Sequence, residues 1–264
     1  MSAFLFDLDG TLYQGDAAIP GAPELITRLR DQGKPFRFVT NTTSRPRSSI
    51  VARLRSYGFQ LADDEVFTAL LAGAALARNR GCDTLLPLVA PASLTDLEGF
   101  TLVGGTSGSS FSAASPAGFP AAVLVGDLGP LWSFDLVQQA FTALLNGALL
   151  IALSRDRYWM SSTGLTVDCG AFVAALEYAS GKIALLGGKP SAEFYHAAVQ
   201  SLGPEVTPGD VVMVGDDIVS DVGGAQQAGY QGYLVRTGKY SEAALQASGV
   251  RPDRILASVI DLDT

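Results

Sequence analysis

The sequence predicts an α/β fold in which helices cover both faces of a doubly wound, parallel sheet. Three observations support this prediction. Apolar runs alternate with helical patterns from the start of the chain, and each run is continuous, as in strands that are buried on both faces. The same alternation returns after residue 187. With 264 residues, the chain can form one large domain or two modest ones.

The opening sixty residues contain two strands and two helices in alternation. The predicted elements are strands over 3–6 and 36–39 and helices over 22–31 and 46–57. Gly33 and Gly58 follow the two helices as stop signals. The first strand runs into Asp7-Leu8-Asp9-Gly10, and the second runs into Thr40-Asn41.

The middle of the chain repeats this alternation on a smaller scale. The predicted elements are strands over 84–89, 121–125 and 149–153 and helices over 134–145 and 170–178. The stretch 104–118 is rich in Gly and Ser and has no apolar period, which predicts a loop. No Gly-Lys-Ser/Thr follows it, so a phosphate-binding loop of that type is not expected.

The last third returns to longer elements. Gly187-Gly188-Lys189-Pro190 is predicted to open a helix that runs to about Leu202, with Pro190 at its first position. The other predicted elements are strands over 211–214 and 232–235 and a helix over 221–228. The strand over 211–214 runs into Gly215-Asp216-Asp217.

The composition narrows the function classes. The formal net charge is -8, and an acidic surface repels phosphate backbones and anionic lipids, so we expect neither nucleic-acid nor membrane binding. The two cysteines, Cys82 and Cys169, form no metal-type pair and indicate a reducing compartment. No apolar run is as long as a membrane span, and no leader pattern opens the chain, so a cytoplasmic protein is expected.

Clustered carboxylates follow two of the predicted strands. Asp7 and Asp9 come after the first, and Asp216, Asp217 and Asp221 surround the end of another. Ligands of open parallel sheets bind at the carboxyl ends of strands, and adjacent acids need a counter-charge there. Magnesium suits such a site because it prefers carboxylate and phosphate oxygens. Any one of these acids could instead cap a helix or turn.

Four residues have chemistry that suits a phosphate site. Asp7 and Asp9 point to the same side of the strand end, because side chains alternate along a strand. Thr40 offers a hydroxyl at another strand end, although an ordinary helix N-cap explains it equally well. Lys189 stands before a predicted helix, where its ammonium could neutralise Asp7 and a phosphoryl group.

Together these residues resemble the four motifs of the haloacid dehalogenase (HAD)-like hydrolases, in the right order. The motifs are Asp7-Leu8-Asp9-Gly10-Thr11, Thr40-Asn41, Lys189, and Asp216 with Asp221. The segment 215–225 and Arg236-Thr237-Gly238-Lys239 are similar to the type IIA cap branch of this family. The resemblance implies a Rossmann-like core over 1–75 and 184–264, with a smaller α/β cap domain inserted over 76–183.

The resemblance also implies roles for the motif residues. Asp7 would be the nucleophile that becomes an aspartyl-phosphate, and Asp9 the acid and base. Magnesium would be held by the Asp7 carboxylate, the Asp9 backbone carbonyl and the Asp216 carboxylate. Asp217 and Asp221 would orient the groups around the metal. Thr40, Asn41 and Lys189 would bind the phosphoryl oxygens.

The expected function is therefore a magnesium-dependent phosphatase that acts on small phosphate monoesters, with pyrophosphate and phosphoamino acids as further candidate substrates. Alternatives are a phosphomutase or a catalytically silent, phosphate-binding regulatory protein on the same fold. A response-regulator receiver is disfavoured by the order of its acids. We expect a small phosphorylated substrate and a homodimer through the cap. The contacts that select the substrate belong to cap loops, and the sequence of loops 104–118 and 155–163 does not define their role in specificity. His196 is interpreted as a helix residue without a catalytic role.

Overall fold

The computed structural model describes residues 2–109, 118–161 and 164–263, and the chain forms two compact units. The first unit consists of Met1–Thr40, Arg47–Phe67 and Lys189–Thr264, and the second of Asn41–Pro46 and Thr68–Gly188. The predicted domain boundaries, at 75/76 and 183/184, therefore lie several residues inside the second unit.

Fifteen strands and eight α-helices occur in the described residues. The strands are β1 (Ala3–Phe6), β2 (Tyr13–Gln14), β3 (Ala17–Ala18), β4 (Phe36–Thr40), β5 (Val66–Thr68), β6 (Thr84–Leu88), β7 (Thr101–Leu102), β8 (Ala122–Val125), β9 (Leu149–Ala152), β10 (Tyr158–Ser161), β11 (Gly164–Val167), β12 (Leu185–Leu186), β13 (Val211–Gly215), β14 (Gln231–Val235) and β15 (Arg254–Leu256). The helices are α1 (Ala22–Asp31), α2 (Arg47–Ser56), α3 (Ala69–Asn79), α4 (Phe134–Leu145), α5 (Gly170–Ser180), α6 (Ala192–Gln200), α7 (Gly224–Gln227) and α8 (Glu242–Ser248).

The first unit is built on a six-stranded sheet in the order β15-β14-β13-β1-β4-β5. Strand β1 lies between β13 and β4 and runs parallel to both. Every residue of β1 and β13 is buried, which explains their continuous apolar sequences. On one face, Phe4 and Phe6 of β1 pack in a core cluster with apolar residues of α1 and α2. This arrangement brings the carboxyl ends of β1, β4 and β13 to one edge.

The second unit contains a five-stranded sheet in the order β12-β9-β8-β6-β7. Its strand pairs are parallel. One cluster of buried apolar residues joins this sheet to α4 and α5, and another joins it to α3. Strands β10 and β11 form a separate antiparallel hairpin. The predicted doubly wound core and the smaller α/β insert are thus both observed.

Two predicted helices of the last third are observed with different bounds. Helix α6 begins at Ala192, not at Pro190, because the Ser191 hydroxyl caps it and accepts a hydrogen bond from the Phe194 N–H at 3.2 Å. The helix predicted over 221–228 is confirmed over Gly224–Gln227, as α7, whereas the chain from Ile218 to Gly223 forms a π-helical turn before it.

The two cap loops, 104–118 and 155–163, are only partly described. Residues 110–117 of the 104–118 loop lie outside the described residues, as do residues 162 and 163 of the 155–163 segment. The described part of the first loop includes a 3-10 turn over Gly105–Ser107, and the second segment contributes to strand β10. Among the helices of the described residues, none has the length and apolar character needed to span a bilayer.

Candidate active site

The pairing of β1 with β13 places two of the predicted acids side by side. Phe6 is in register with Val214, and the Asp7 N–H donates to the Val214 carbonyl at 3.0 Å. Asp216 comes just after β13, so its carboxylate and that of Asp7 emerge at the same edge of the sheet. Carboxylate oxygens of Asp7, Asp216 and Asp221 all lie within 4.8 Å of one another. The predicted convergence of the two strand ends is therefore observed.

Lys189 supplies a buried positive charge to this cluster. Its ammonium donates to Asp7 Oδ1 at 2.5 Å and to Asp221 Oδ1 at 2.6 Å, and the residue is only 5% exposed. Burial alone would lower the pKa of Lys189, but the charges of Asp221 and Asp7 outweigh it and raise the pKa. The side chain therefore stays protonated, and removing it would leave two acids without their counter-charge.

The π-helical turn after β13 places Asp221 beside Lys189. Asp217 caps this turn, since its Oδ1 accepts from the N–H groups of Val219 and Ser220 at 3.0 Å each. Asp221 Oδ2 in turn accepts from the Asp217 N–H at 3.1 Å. Burial would raise the pKa of Asp217, but the N–H donors and Lys239 outweigh it and lower this pKa. Asp217 is thus an ionised capping residue that fixes the position of Asp221.

Asp216 is held by a segment that was given no role from the sequence. Its Oδ2 accepts from the Lys239 N–H at 2.6 Å, and the Thr237 hydroxyl donates to the Gly10 carbonyl. A Cβ atom at Gly10 would lie 2.0 Å from Asp216 Oδ2 and 2.8 Å from the Gly238 Cα, so only glycine fits there. In the sequence, the resemblance of Arg236-Thr237-Gly238-Lys239 to the family was the one sign that this segment matters. The structure shows that the segment contacts Asp216 and Gly10.

Burial and mutual repulsion raise the pKa values of two of these acids. Burial and the Asp7 charge raise the pKa of Asp216 to about 6. Burial raises the pKa of Asp221 to about 7, with Lys189 opposing and Asp7 adding to the shift. A bound divalent cation would reverse both shifts. Three converging carboxylates, two of them nearly fully buried, are an all-oxygen donor set that fits Mg²⁺.

Asp221 lies within this carboxylate cluster, although it was expected only to orient the groups around a metal. Its direct bond to Lys189 is compatible with that expected role. The Asp9 carboxylate is not one of the three clustered groups. The contact predicted between its backbone carbonyl and the metal stays a prediction.

The surroundings of Asp9 raise the pKa of its carboxyl group. It lies in the turn after β1, whose Gly10 N–H donates to the Tyr13 carbonyl at 2.7 Å. Burial and then the Asp7 charge raise the pKa of Asp9, while Arg53 and Lys239 lower it. This direction is compatible with the predicted role of Asp9 as acid and base, which stays a prediction.

The predicted phosphate-binding residues Thr40 and Asn41 lie at the end of β4. Thr40 is buried and is the last residue of the strand next to β1. Asn41 follows it as the first residue of the second unit, where a Cβ at Gly188 would lie 2.8 Å from Asn41 Oδ1. Their binding of phosphate stays a prediction.

His196 lies inside α6, as interpreted. Its Nε2 is 3.3 Å from the Ala228 carbonyl oxygen, and its ring packs edge-on against Tyr230. These contacts account for the residue without a catalytic role.

The fold and this site define a HAD-like hydrolase, and comparison with known proteins agrees. The family model described as haloacid dehalogenase-like hydrolase matches residues 4–101, and one described as HAD-hydrolase-like matches residues 186–262. Haloacid dehalogenase-like hydrolase domain-containing protein 2 of Bos taurus is 40% identical over 243 residues, covering 92% of this chain and 87% of its own. The chain therefore belongs to the haloacid dehalogenase-like hydrolase family.

Further relatives agree with the predicted branch and enzyme class. Phospholysine phosphohistidine inorganic pyrophosphate phosphatase of Xenopus laevis is 35% identical, covering 90% of this chain and 84% of its own. Among solved structures, p-nitrophenyl phosphatase from Archaeoglobus fulgidus superposes with a TM-score of 0.85 at 26% identity and covers 98% and 97% of the two chains. NagD from E. coli K-12 gives 0.84 at 26% identity, with 100% and 98% covered. The prediction of a HAD-like phosphatase of the type IIA branch is confirmed.

Proposed function

We propose that this protein is a magnesium-dependent phosphatase that hydrolyses small phosphate monoesters and pyrophosphate through an aspartyl-phosphate on Asp7. The observation that carries the proposal is the contact of Asp7 with a buried lysine inside a cluster of three acids. The Lys189 ammonium neutralises the Asp7 carboxylate, so that an anionic phosphoryl group can approach it.

The residues around Asp7 supply the remaining steps. An Asp7 carboxylate oxygen attacks phosphorus, the bond from phosphorus to the leaving oxygen breaks, and Asp9 gives that oxygen its proton. Asp9 then accepts a proton from the water that hydrolyses the aspartyl-phosphate, which releases inorganic phosphate and restores both acids. Lys189, with Thr40 and Asn41, is proposed to hold the phosphoryl oxygens.

The residues that would hold Mg²⁺ are Asp7 and Asp216, with the Asp9 carbonyl and the neighbouring Asp221. When bound, the cation would neutralise charge that builds up on the phosphoryl oxygens. A high local density of carboxylates supports a divalent cation at this position. The named activities of the relatives support phosphate esters and pyrophosphate as the substrate classes.

The first test measures phosphate release from p-nitrophenyl phosphate, pyrophosphate and a set of metabolite monoesters. We expect turnover with Mg²⁺, loss of turnover with chelator, and a fall of at least about a thousandfold in Asp7→Asn. The acid-quenched native enzyme should carry a phosphoryl group that Asp7→Asn lacks, as detected by mass spectrometry.

A matched control is Asp31→Asn, which changes an exposed aspartate at the end of α1 and should leave turnover intact. Full turnover by Asp7→Asn would contradict the aspartyl-phosphate. Full turnover in chelator would contradict the metal requirement. Failure of the folded native protein to turn over any substrate would contradict the proposed function.

A further inference from the structure

Lys239 has no role in the mechanism above, yet its backbone is fixed against the catalytic acids. Its N–H donates to Asp216 Oδ2, and the preceding Gly238 packs against Gly10. The Thr237 hydroxyl donates to the Gly10 carbonyl in the turn that carries Asp9. The position of the Lys239 backbone is therefore set by both acid-bearing strand ends.

The side chain of Lys239, in contrast, is only loosely held. It is 73% exposed, and its ammonium lies 3.7 Å from Asp217 Oδ2. An exposed ion pair of this length contributes little free energy, so the ammonium can leave Asp217 at low cost. Asp217 keeps its two capping hydrogen bonds, to Val219 and Ser220, when that happens.

The charge of Lys239 reaches the site despite this exposure. Its positive charge acts on Asp9, Asp216 and Asp217 and lowers the pKa of each relative to burial alone. Lys189 is already bonded to Asp7 and Asp221. Lys239 is therefore a second cation at the acid cluster, and its ammonium is available to a ligand.

Arg53 is another cation whose charge reaches Asp9, but its guanidinium is engaged. It donates Nε to the Tyr57 hydroxyl at 2.8 Å and Nη2 to the Gly15 carbonyl at 2.7 Å, and it stacks over the Tyr13 ring. Moving it would break all of these contacts, whereas moving Lys239 breaks one long ion pair.

We infer that the Lys239 ammonium binds a second anionic group of the substrate, beside the phosphoryl group that Asp7 accepts, and so favours diphosphate-type substrates over esters of uncharged alcohols. This inference rests on the proposed function. With pyrophosphate, the bond from phosphorus to the bridging oxygen breaks, Asp9 protonates that oxygen, and the leaving group is a second phosphate. The negative charge of this leaving phosphate repels the acids unless a nearby cation neutralises it. The ammonium of a flexible lysine side chain can reach and bind the phosphate.

The test compares Lys239→Met with the native protein on pyrophosphate and on p-nitrophenyl phosphate at saturating Mg²⁺. We expect kcat/KM for pyrophosphate to fall at least about tenfold more than kcat/KM for the nitrophenyl ester, which corresponds to about 1.4 kcal/mol. Lys239→Arg, which keeps the charge, should retain most of the native ratio. Lys34→Met should leave the ratio unchanged, since Lys34 precedes β4 at the opposite end of its sheet.

A binding measurement separates this role from simple charge balance. Methylenediphosphonate and inorganic phosphate are used as inhibitors of nitrophenyl phosphate hydrolysis, and Lys239→Met should weaken the diphosphonate at least about tenfold more than the phosphate. If Lys239→Met weakened both inhibitors equally and lowered kcat/KM equally for both substrates, the inference would be overturned. Lys239 would then only neutralise part of the negative charge of the carboxylates. A native protein that hydrolyses the ester but not pyrophosphate would also overturn it. Inactivity on both substrates would instead contradict the proposed function.

Discussion

At the scale of single residues, Asp216 would link the proposed metal binding to stability. Its carboxyl group is nearly fully buried, and burial together with the Asp7 charge raises its pKa to about 6. The folded protein therefore binds a proton at Asp216 that the unfolded chain releases near its ordinary pKa of 3.8. The contribution of this group to stability is fully present below that pKa and is lost as pH rises through about 6.

This linkage predicts how Mg²⁺ stabilises the protein. In chelator, the free energy of unfolding should fall between about pH 4 and 6 by on the order of 1–3 kcal/mol from this group. Mg²⁺ should then raise the melting temperature more at pH 7.5 than at pH 5, because ionised acids bind it without losing a proton. Thermal unfolding at both pH values, with chelator and with Mg²⁺, measures both effects.

Asp216→Asn is the control for this prediction. It removes the titrating group, so the variant in chelator should lose less stability than the native protein over that pH range, and Mg²⁺ should stabilise it little. Identical pH dependence of the two proteins, or a Mg²⁺ effect that is larger at pH 5, would show that Asp216 does not carry the linkage.

At the scale of elements, Tyr195 ties helix α6 to the π-helical turn. Its buried hydroxyl donates to the Ser220 and Asp221 carbonyls, and Lys189 precedes the same helix. Tyr195→Phe leaves these buried carbonyls without that donor, so we expect a loss of about 1–2 kcal/mol in the free energy of unfolding. Urea unfolding monitored by circular dichroism measures it.

Tyr178→Phe is the matched control, because Tyr178 is 93% exposed and its hydroxyl is open to water. Its loss of stability should stay below about 0.5 kcal/mol. If Tyr195→Phe lost no more stability than this control, the hydroxyl would not be what holds the turn against α6.

The elements also show which parts of the fold the sequence could predict. Strands β1 and β13 are continuous apolar runs that end in acids, so their burial followed from local patterns. The convergence of Asp7 with Asp216 depended also on the two strands being neighbours in the sheet. The π-helical turn did not follow from local patterns, because it depends on Asp217 accepting two N–H groups in place of an ordinary helix start. The start of α6 at Ala192 likewise depends on the Ser191 hydroxyl, which caps the helix. From the sequence, Pro190 was an equally good first helical residue.

Contacts between distant segments were the other limit. Thr237 bonds to Gly10 across 227 residues, and the Lys239 N–H reaches Asp216. No hydrophobic period or residue spacing in the sequence predicts these two hydrogen bonds, because they form only when the strands pack together. The sequence predicted that Lys189 is a cation at the site. Its two hydrogen bonds, one to Asp7 and one to Asp221, were visible only in the structure.

At the scale of the whole molecule, exposed apolar surface is concentrated in the second unit. Most of the exposed large apolar side chains of the described residues belong to it, including Phe134 at 79% and Ile183 at 85% exposure. Surfaces of this kind mark sites of association when they are contiguous. The expected homodimer through the cap, which we take to correspond to the second unit, stays a prediction that these side chains make testable.

The dimer predicts a mass in solution that depends on this surface. Sedimentation equilibrium at micromolar concentration should give twice the chain mass of 27.5 kDa. The double variant Phe134→Asp, Ile183→Asp should shift the equilibrium toward the monomer at least about tenfold, because a buried interface tolerates unpaired charges poorly. Ile255→Asp, at a 40% exposed position in the first unit, is the matched control and should stay dimeric.

A native protein that remains a monomer at every concentration would rule out the dimer. Dissociation by the control alone would place the interface on the first unit, where the edge strand β15 carries Ile255.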